Sequence, residues 1–167
     1  MRRFSEFTEK TCKNHNLLKK YSFSSKCGQP DAEEGLVNLA FILLQYKAMP
    51  NQEALADALW GYGSSILVQL CKRQRHVTGS VLQRLSDFIL TGSSVLQFTR
   101  CLAEMCAKLR LVVLEKQTLI IDLIGNVFFF APTVARNVIV AVMPIVLLAP
   151  SVCNSLILTL RKAAFSR

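Results

Sequence analysis

Hydrophobic residues recur every three or four positions along most of the chain from Asp31 onward, which is the period of a helix packed on one face. Turn signals interrupt this pattern at 50–51, 91–92 and 131–132 and at Pro150. Proline, glycine or asparagine at these points ends one helix and lets the next begin. The pattern therefore predicts about seven helices, over residues 31–46, 52–75, 78–90, 93–109, 114–130, 132–149 and from 151 through Lys162.

Two polar residues are placed where helices should begin. Asp31 follows Pro30, and Ser151 follows Pro150. A short side-chain oxygen at such a position accepts hydrogen bonds from the unpaired N–H groups of the first turn, so both are predicted N-caps. Residues 1–30 are basic and have few apolar anchors, which predicts a mobile or weakly helical lead-in. The predicted organisation is this lead-in followed by a helical segment over 31–167.

Helices of similar length joined by short turns, with little strand-like alternation, predict an all-α fold. Short connections make neighbouring helices antiparallel, so stacked helical hairpins are expected. The chain has no strict period of the tetratricopeptide or ankyrin kind. An irregular, HEAT-like α-solenoid is therefore the predicted architecture, and a globular helix bundle is the alternative.

The residues 137–160 contain no charged side chain, and an uncharged run of this length could span a bilayer. Pro144 and Pro150 interrupt it, since proline removes a backbone donor and clashes with the preceding turn. The run is therefore predicted to form two helices, and a membrane-spanning segment remains the alternative. Hydrophobic residues make up 51% of the chain and charged residues 19%. That composition fits either membrane insertion or a piece of a larger helical protein.

The last predicted helix has two distinct faces. Val152, Leu156 and Leu160 recur every four residues and form an apolar face, whereas the polar residues Ser155, Thr159 and Lys162 follow another face. Lys162 is therefore the candidate presented group of this helix. The alternative is an ordinary lysine near a helix C-terminus, where the helix dipole favours a cation.

The chain is basic, with a formal net charge of +9. One cluster consists of Lys72, Arg73 and Arg75, beside His76. Basic surface attracts phosphate, whether of nucleic acid or of anionic lipid, so these three residues are candidate nucleic-acid contacts. A solvated helix end is the alternative interpretation.

No motif indicates an enzyme. The sequence has no glycine-rich phosphate loop, nucleophile elbow or HExxH pair, and its two histidines lie far apart. None of the six cysteines forms a CxxC pair. Cys71, Cys101, Cys106 and Cys153 lie within apolar helical patterns, which predicts buried free thiols. We therefore expect no catalytic residue, no metal site and no cofactor.

Three stretches of the chain resemble helices of one known protein family. NSLILTLRKAAF (154–165) resembles the helix that carries the ubiquitin-acceptor lysine of the Fanconi anaemia group I family. EEGLVNLAFILL (33–44) is similar to a helix near the start of its second solenoid segment, and SVLQRLSDFIL (80–90) to a helix after a short basic turn. The helical order between them also matches, so the resemblance covers about residues 31–167.

This resemblance implies a non-catalytic, nuclear α-solenoid that pairs with a paralogous group D2 protein. The pair clamps DNA at interstrand crosslinks for repair, and each partner receives one ubiquitin from the Fanconi core-complex ligase. The acceptor lysine of the family corresponds to Lys162, which would be the substrate of the ligase and not a catalyst.

The sequence also departs from the family pattern. It is much shorter, it ends five residues after Lys162, and it contains no Ser-Gln dipeptide of the kind phosphorylated in the family. We therefore expect a fragment of a longer protein. A generic α-solenoid that binds other proteins without a nucleic-acid role is the alternative function.

Overall fold

The computed structural model describes residues 30–92 and 95–165, and all side chains mentioned below belong to these ranges. The chain divides into two compact units, Met1–Leu36 and Val37–Arg167. In the first unit, the described part is the beginning of one helix. Within the described residues the helices are α1 (Pro30–Leu44), α2 (Glu53–Arg73), α3 (Val77–Leu90), α4 (Val95–Lys108), α5 (Arg110–Leu114), α6 (Gln117–Phe130), α7 (Pro132–Val146) and α8 (Pro150–Phe165).

The all-α prediction is confirmed, but one predicted helix is interrupted. The helix expected over 114–130 begins at Gln117, and a separate short helix, α5, precedes it. The backbone leaves helical geometry at Leu109 (φ −121°) and again at Lys116 (φ −109°). Neither position has the glycine or proline that usually marks a break. Val112 and Val113 are buried there, so α5 is defined by packing and not by a local turn signal.

The two predicted caps were wrong by about one position. Helix α1 begins at Pro30 and α8 begins at Pro150, so Asp31 and Ser151 lie within the first turns and not at the caps. Proline is well suited to the first turn, because its fixed φ is helical and its missing N–H would have no helical partner there. The predicted lead-in over 1–30 lies outside the described residues except for Pro30.

The described helices of the second unit form two packed layers. In one layer α3 packs against α6 and α6 against α8; in the other, α2 packs against α4 and α4 against α7. Helix pairs α3–α4 and α6–α7 also pack together, so each hairpin contributes one helix to each layer. This repeated stacking of hairpins is the arrangement of an α-solenoid, as the helical order predicted.

Three phenylalanines join α1, α3 and α4 in the core. Phe98 stacks on Phe88 with 4.7 Å between ring centroids, and Phe41 lies 5.5 Å from Phe88 and 6.0 Å from Phe98. Phe98 has no exposed surface. The apolar rings thus connect the first described helix with the next hairpin by contacts distant in sequence.

A polar network lies between α2 and α4. The Ser64 hydroxyl donates to the Glu104 carboxylate, which also accepts a hydrogen bond from Lys108. Burial acts to raise the pKa of Glu104, but hydrogen bonds from Lys108 and Ser64, with the charges of Lys108 and Arg100, lower it below the ordinary value. Glu104 is therefore ionised at neutral pH and gives buried Ser64 its acceptor.

The long uncharged run forms parts of two separate helices, as predicted. Helix α7 continues through Pro144 and ends at Val146, and α8 begins at Pro150. Among the described helices, none is both long enough and apolar enough to cross a membrane.

A polar groove at Lys162

Helix α8 is oriented by its apolar face. Val152 and Leu156 are buried and Leu160 is half-buried, whereas Ser155 and Lys162 are exposed. The expected apolar face is confirmed for Val152 and Leu156. Of the expected polar face, Thr159 is half-buried beside Gly125 of α6, whereas Lys162 is exposed in the last turn of α8.

A close contact between α6 and α8 positions that last turn. A Cβ built at Gly125 would lie 2.8 Å from Cγ2 of Thr159. Only glycine lets the two helices approach this closely. Lys162 lies three residues beyond Thr159, about one helical turn along α8. The absence of a side chain at Gly125 therefore determines where Lys162 lies relative to α6.

Lys162 lines a groove that crosses α8, α6 and α3. The cavity volume is about 500 Å³. Its polar lining is contributed by all three helices and consists of Gln83, Ser86, Asp122, Asn126, Thr159 and Lys162. Leu119, Leu123 and Phe129 supply apolar surface. The groove thus combines one primary amine, one carboxylate and two carboxamides.

The basic cluster lies at a different place on the fold. Lys72 and Arg73 are exposed in the last turn of α2, and Arg75 lies in the following turn. Arg75 pairs with Glu115 at 3.2 Å. Glu115 comes just before α6, and the first polar groove residue of α6, Asp122, lies about 10 Å further along that helix. None of Lys72, Arg73 and Arg75 lines the groove at Lys162.

The Arg75–Glu115 pair changes the electrostatics of the cluster, because the Glu115 carboxylate offsets part of the positive charge of the Arg75 guanidinium.

The side chain of Lys116, which the sequence pattern did not single out, reaches across the start of α3. Its Cε would lie 3.7 Å from a Cβ at Gly79. Lys116 therefore adds a basic group near the same turn. No sequence signal pointed to it, because the contact joins residues distant along the chain.

The described cysteines are free. Cys71, Cys101 and Cys106 are buried, as predicted, whereas Cys153 is half-buried. Burial raises the pKa of Cys71 to about 11 and those of Cys101 and Cys106 to about 12. These three thiols are protonated at neutral pH and are poor nucleophiles. No group of three potential metal ligands occurs among the described side chains.

The stacked helical hairpins define the class of the protein, an α-solenoid. Residues 33–167 match the family model described as FANCI solenoid 2. The chain belongs to this family.

The chain is also similar to the Fanconi anemia group I protein of Gallus gallus. The two are 26% identical over 164 residues, an alignment that covers 86% of this chain and 12% of the chicken protein. The chain thus spans about an eighth of the length of this curated relative. No solved structure matches it. The resemblance read from the sequence is confirmed, and the chain is a solenoid segment of the Fanconi group I type.

Proposed function

We propose that this chain is a non-catalytic segment of a Fanconi group I-type subunit that acts in DNA interstrand crosslink repair in the nucleus. In this proposal it pairs with a group D2-like paralogue, contacts DNA in that complex, and receives one ubiquitin on Lys162. The family match over 33–167 carries the proposal. The exposure of Lys162 in the last turn of α8 supports the assignment of the acceptor.

The chemistry assigned to Lys162 is that of a nucleophile. Its uncharged Nζ attacks the carbonyl carbon of a ubiquitin thioester carried by a conjugating enzyme. The new C–N bond forms as the C–S bond breaks, the thiolate leaves, and the amine loses a proton. The ligase of the Fanconi core complex is the proposed source of the charged enzyme. A lysine suits this role because its long, flexible stem carries the amine away from the helix.

Replacement of Lys162 by arginine is expected to abolish damage-induced conjugation on this segment. Arginine keeps the positive charge and the helix-terminal position but does not act as the acceptor amine. The measurement is ubiquitin-remnant mapping by mass spectrometry of the full-length protein with its partner, before and after crosslink damage. Lys47→Arg, at another exposed lysine, is the matched control and should leave conjugation unchanged. A remnant that persists on this segment in Lys162→Arg would contradict the assignment.

We propose Lys72, Arg73 and Arg75, all three exposed, as phosphate contacts. The double substitution Lys72→Gln/Arg73→Gln should weaken DNA binding by the full-length complex for every DNA sequence. Each lost phosphate contact lowers the magnitude of the slope of log K against log salt by about 0.9, so the expected decrease is about two. Fluorescence anisotropy at several salt concentrations measures it, with Arg136→Gln on α7 as the control. An unchanged slope would assign DNA binding to other residues.

The alternative function, a protein-interaction scaffold without a nucleic-acid role, is supported by exposed apolar side chains. Val140 on α7 is 64% exposed, and Leu147, which directly follows α7, is 77% exposed. Such residues favour contact with another protein surface. This alternative predicts that neither Lys162→Arg nor Lys72→Gln/Arg73→Gln changes the cellular response to crosslinks.

A further inference from the structure

We propose that the groove at Lys162 binds the C-terminal tail of the ubiquitin attached to this lysine, as an extended peptide that crosses α8, α6 and α3. This inference rests on the proposed function, because it requires the isopeptide bond at Lys162. It adds a non-covalent site for the attached tail, with Asp122, Asn126 and Gln83 as the binding side chains.

The dimensions of the groove fit such a tail. The groove begins at Lys162 on α8 and extends to Gln83 and Ser86 on α3, with α6 between them. Packed helices lie about 8–10 Å apart, so two such spacings cover about 16–20 Å. An extended chain advances about 3.3–3.6 Å per residue, so about five or six residues cover that distance. The cavity of about 500 Å³ is of the size that holds a short peptide segment.

The carboxamides of the groove match the hydrogen-bonding groups of an extended backbone. An extended peptide leaves its N–H and C=O groups unpaired, and side chains that both donate and accept can bind them. Gln83 donates from Nε2 to Asp87 at 3.1 Å, which leaves its Oε1 to accept from a peptide N–H. Asn126 is exposed one turn beyond Asp122 on α6 and supplies both a donor and an acceptor.

The charge balance of the groove changes when Lys162 is conjugated. An isopeptide bond converts the ammonium into a neutral amide and leaves the Asp122 carboxylate in the same groove with one cation fewer. The tail of ubiquitin carries arginines, and a guanidinium binds a carboxylate through paired N–H donors. The two glycines at the end of the tail have no side chains and can follow the helix surface closely beside Thr159.

Because the ubiquitin tail is covalently attached to Lys162, even weak contacts with the groove are enough to keep the tail bound there. A tail joined to Lys162 by its last carbon has an effective concentration in the millimolar range at a site a few residues away. The groove therefore does not need to bind free ubiquitin tightly. It needs only to favour the bound arrangement of a tail that is already present.

The test uses the full-length protein conjugated at Lys162 in complex with its partner. The tail is cut by a deconjugating protease at the isopeptide bond, and separately by brief trypsin treatment at its arginines. Both enzymes need an accessible tail. Asp122→Asn should accelerate both cleavages about twofold to fivefold, as expected for loss of one partly exposed ion pair. Asp122→Asn/Asn126→Ala should accelerate them further, whereas Asp57→Asn, an equal charge change on α2, should have no effect.

The outcomes separate the two proposals. If no ubiquitin is found on Lys162 of the unmodified sequence, both the proposed function and this inference fail. If the conjugate forms but its tail is cut at equal rates in all variants, the tail does not occupy the groove and this inference alone fails. If Asp122→Asn leaves cleavage unchanged but weakens binding of the partner subunit, the groove is a partner contact, which also overturns the inference.

Discussion

Replacement of Phe98 by alanine is expected to lower the free energy of unfolding of this region by about 3–5 kcal/mol, the range for truncating a fully buried phenylalanine. The ring is completely buried and forms a three-ring cluster with Phe88 and Phe41, in which each ring contacts the other two. Its removal takes apolar surface out of the core and leaves a cavity that three helices border. Because those helices belong to successive hairpins, the rest of the packing cannot collapse easily around the void.

The measurement for Phe98→Ala is hydrogen exchange by mass spectrometry on the full-length protein. A helical-repeat protein opens in parts, so local exchange reports the region better than one global unfolding transition. A loss of about 3 kcal/mol corresponds to amide exchange in α3 and α4 that is about a hundredfold faster. Phe130→Ala is the matched control, because this ring is 71% exposed, and its effect should stay within about 0.5 kcal/mol. Equal effects of the two substitutions would contradict the aromatic core described above.

Gly125→Ala is expected to destabilise the contact between α6 and α8 even though it favours an isolated helix. In a helix interior, alanine is favoured over glycine by about 1 kcal/mol. Against this, the new Cβ would lie 2.8 Å from Cγ2 of Thr159, a distance that requires the helices to move apart. Overpacking of this kind costs about 1–3 kcal/mol, so the unfavourable contribution should win. The movement should also displace Lys162 and slow its conjugation.

Two variants make the Gly125 prediction specific. Gly61→Ala lies in α2, where an added Cβ meets nothing within 4 Å, so it should stabilise by about 0.5–1 kcal/mol. Gly125→Ala/Thr159→Ser removes the methyl group that the new Cβ would meet and should restore most of the lost protection in α8. Hydrogen exchange of α8 and the rate of conjugation at Lys162 are the two readouts. Stabilisation by Gly125→Ala comparable to that by Gly61→Ala would show that the two helices are not in close contact.

The presence of most helices and the apolar face of the last helix were predictable, because both depend on the spacing of residues only a few positions apart. The four-residue spacing of Val152, Leu156 and Leu160 was enough to place Lys162 on a different face of α8, where it is exposed. For α2, periodicity alone would select Leu55, Leu59, Ile66 and Leu70 as the buried face, but of these four only Leu70 is buried. The buried residues of α2 also include Ser64, Leu67 and Val68, which lie on a neighbouring stripe.

The sequence by itself determined the all-α class, most helix boundaries to within a few residues, and the lysine presented by the last helix. It did so because periodicity, prolines and glycines act over a few neighbouring residues. The tertiary structure decided the separate helix α5, the contact between Gly125 and Thr159, the pairing of Arg75 with Glu115, and the groove that joins Gln83, Asp122 and Lys162. These features depend on residues about 30 to 80 positions apart, which meet only because successive hairpins stack and bury their apolar faces.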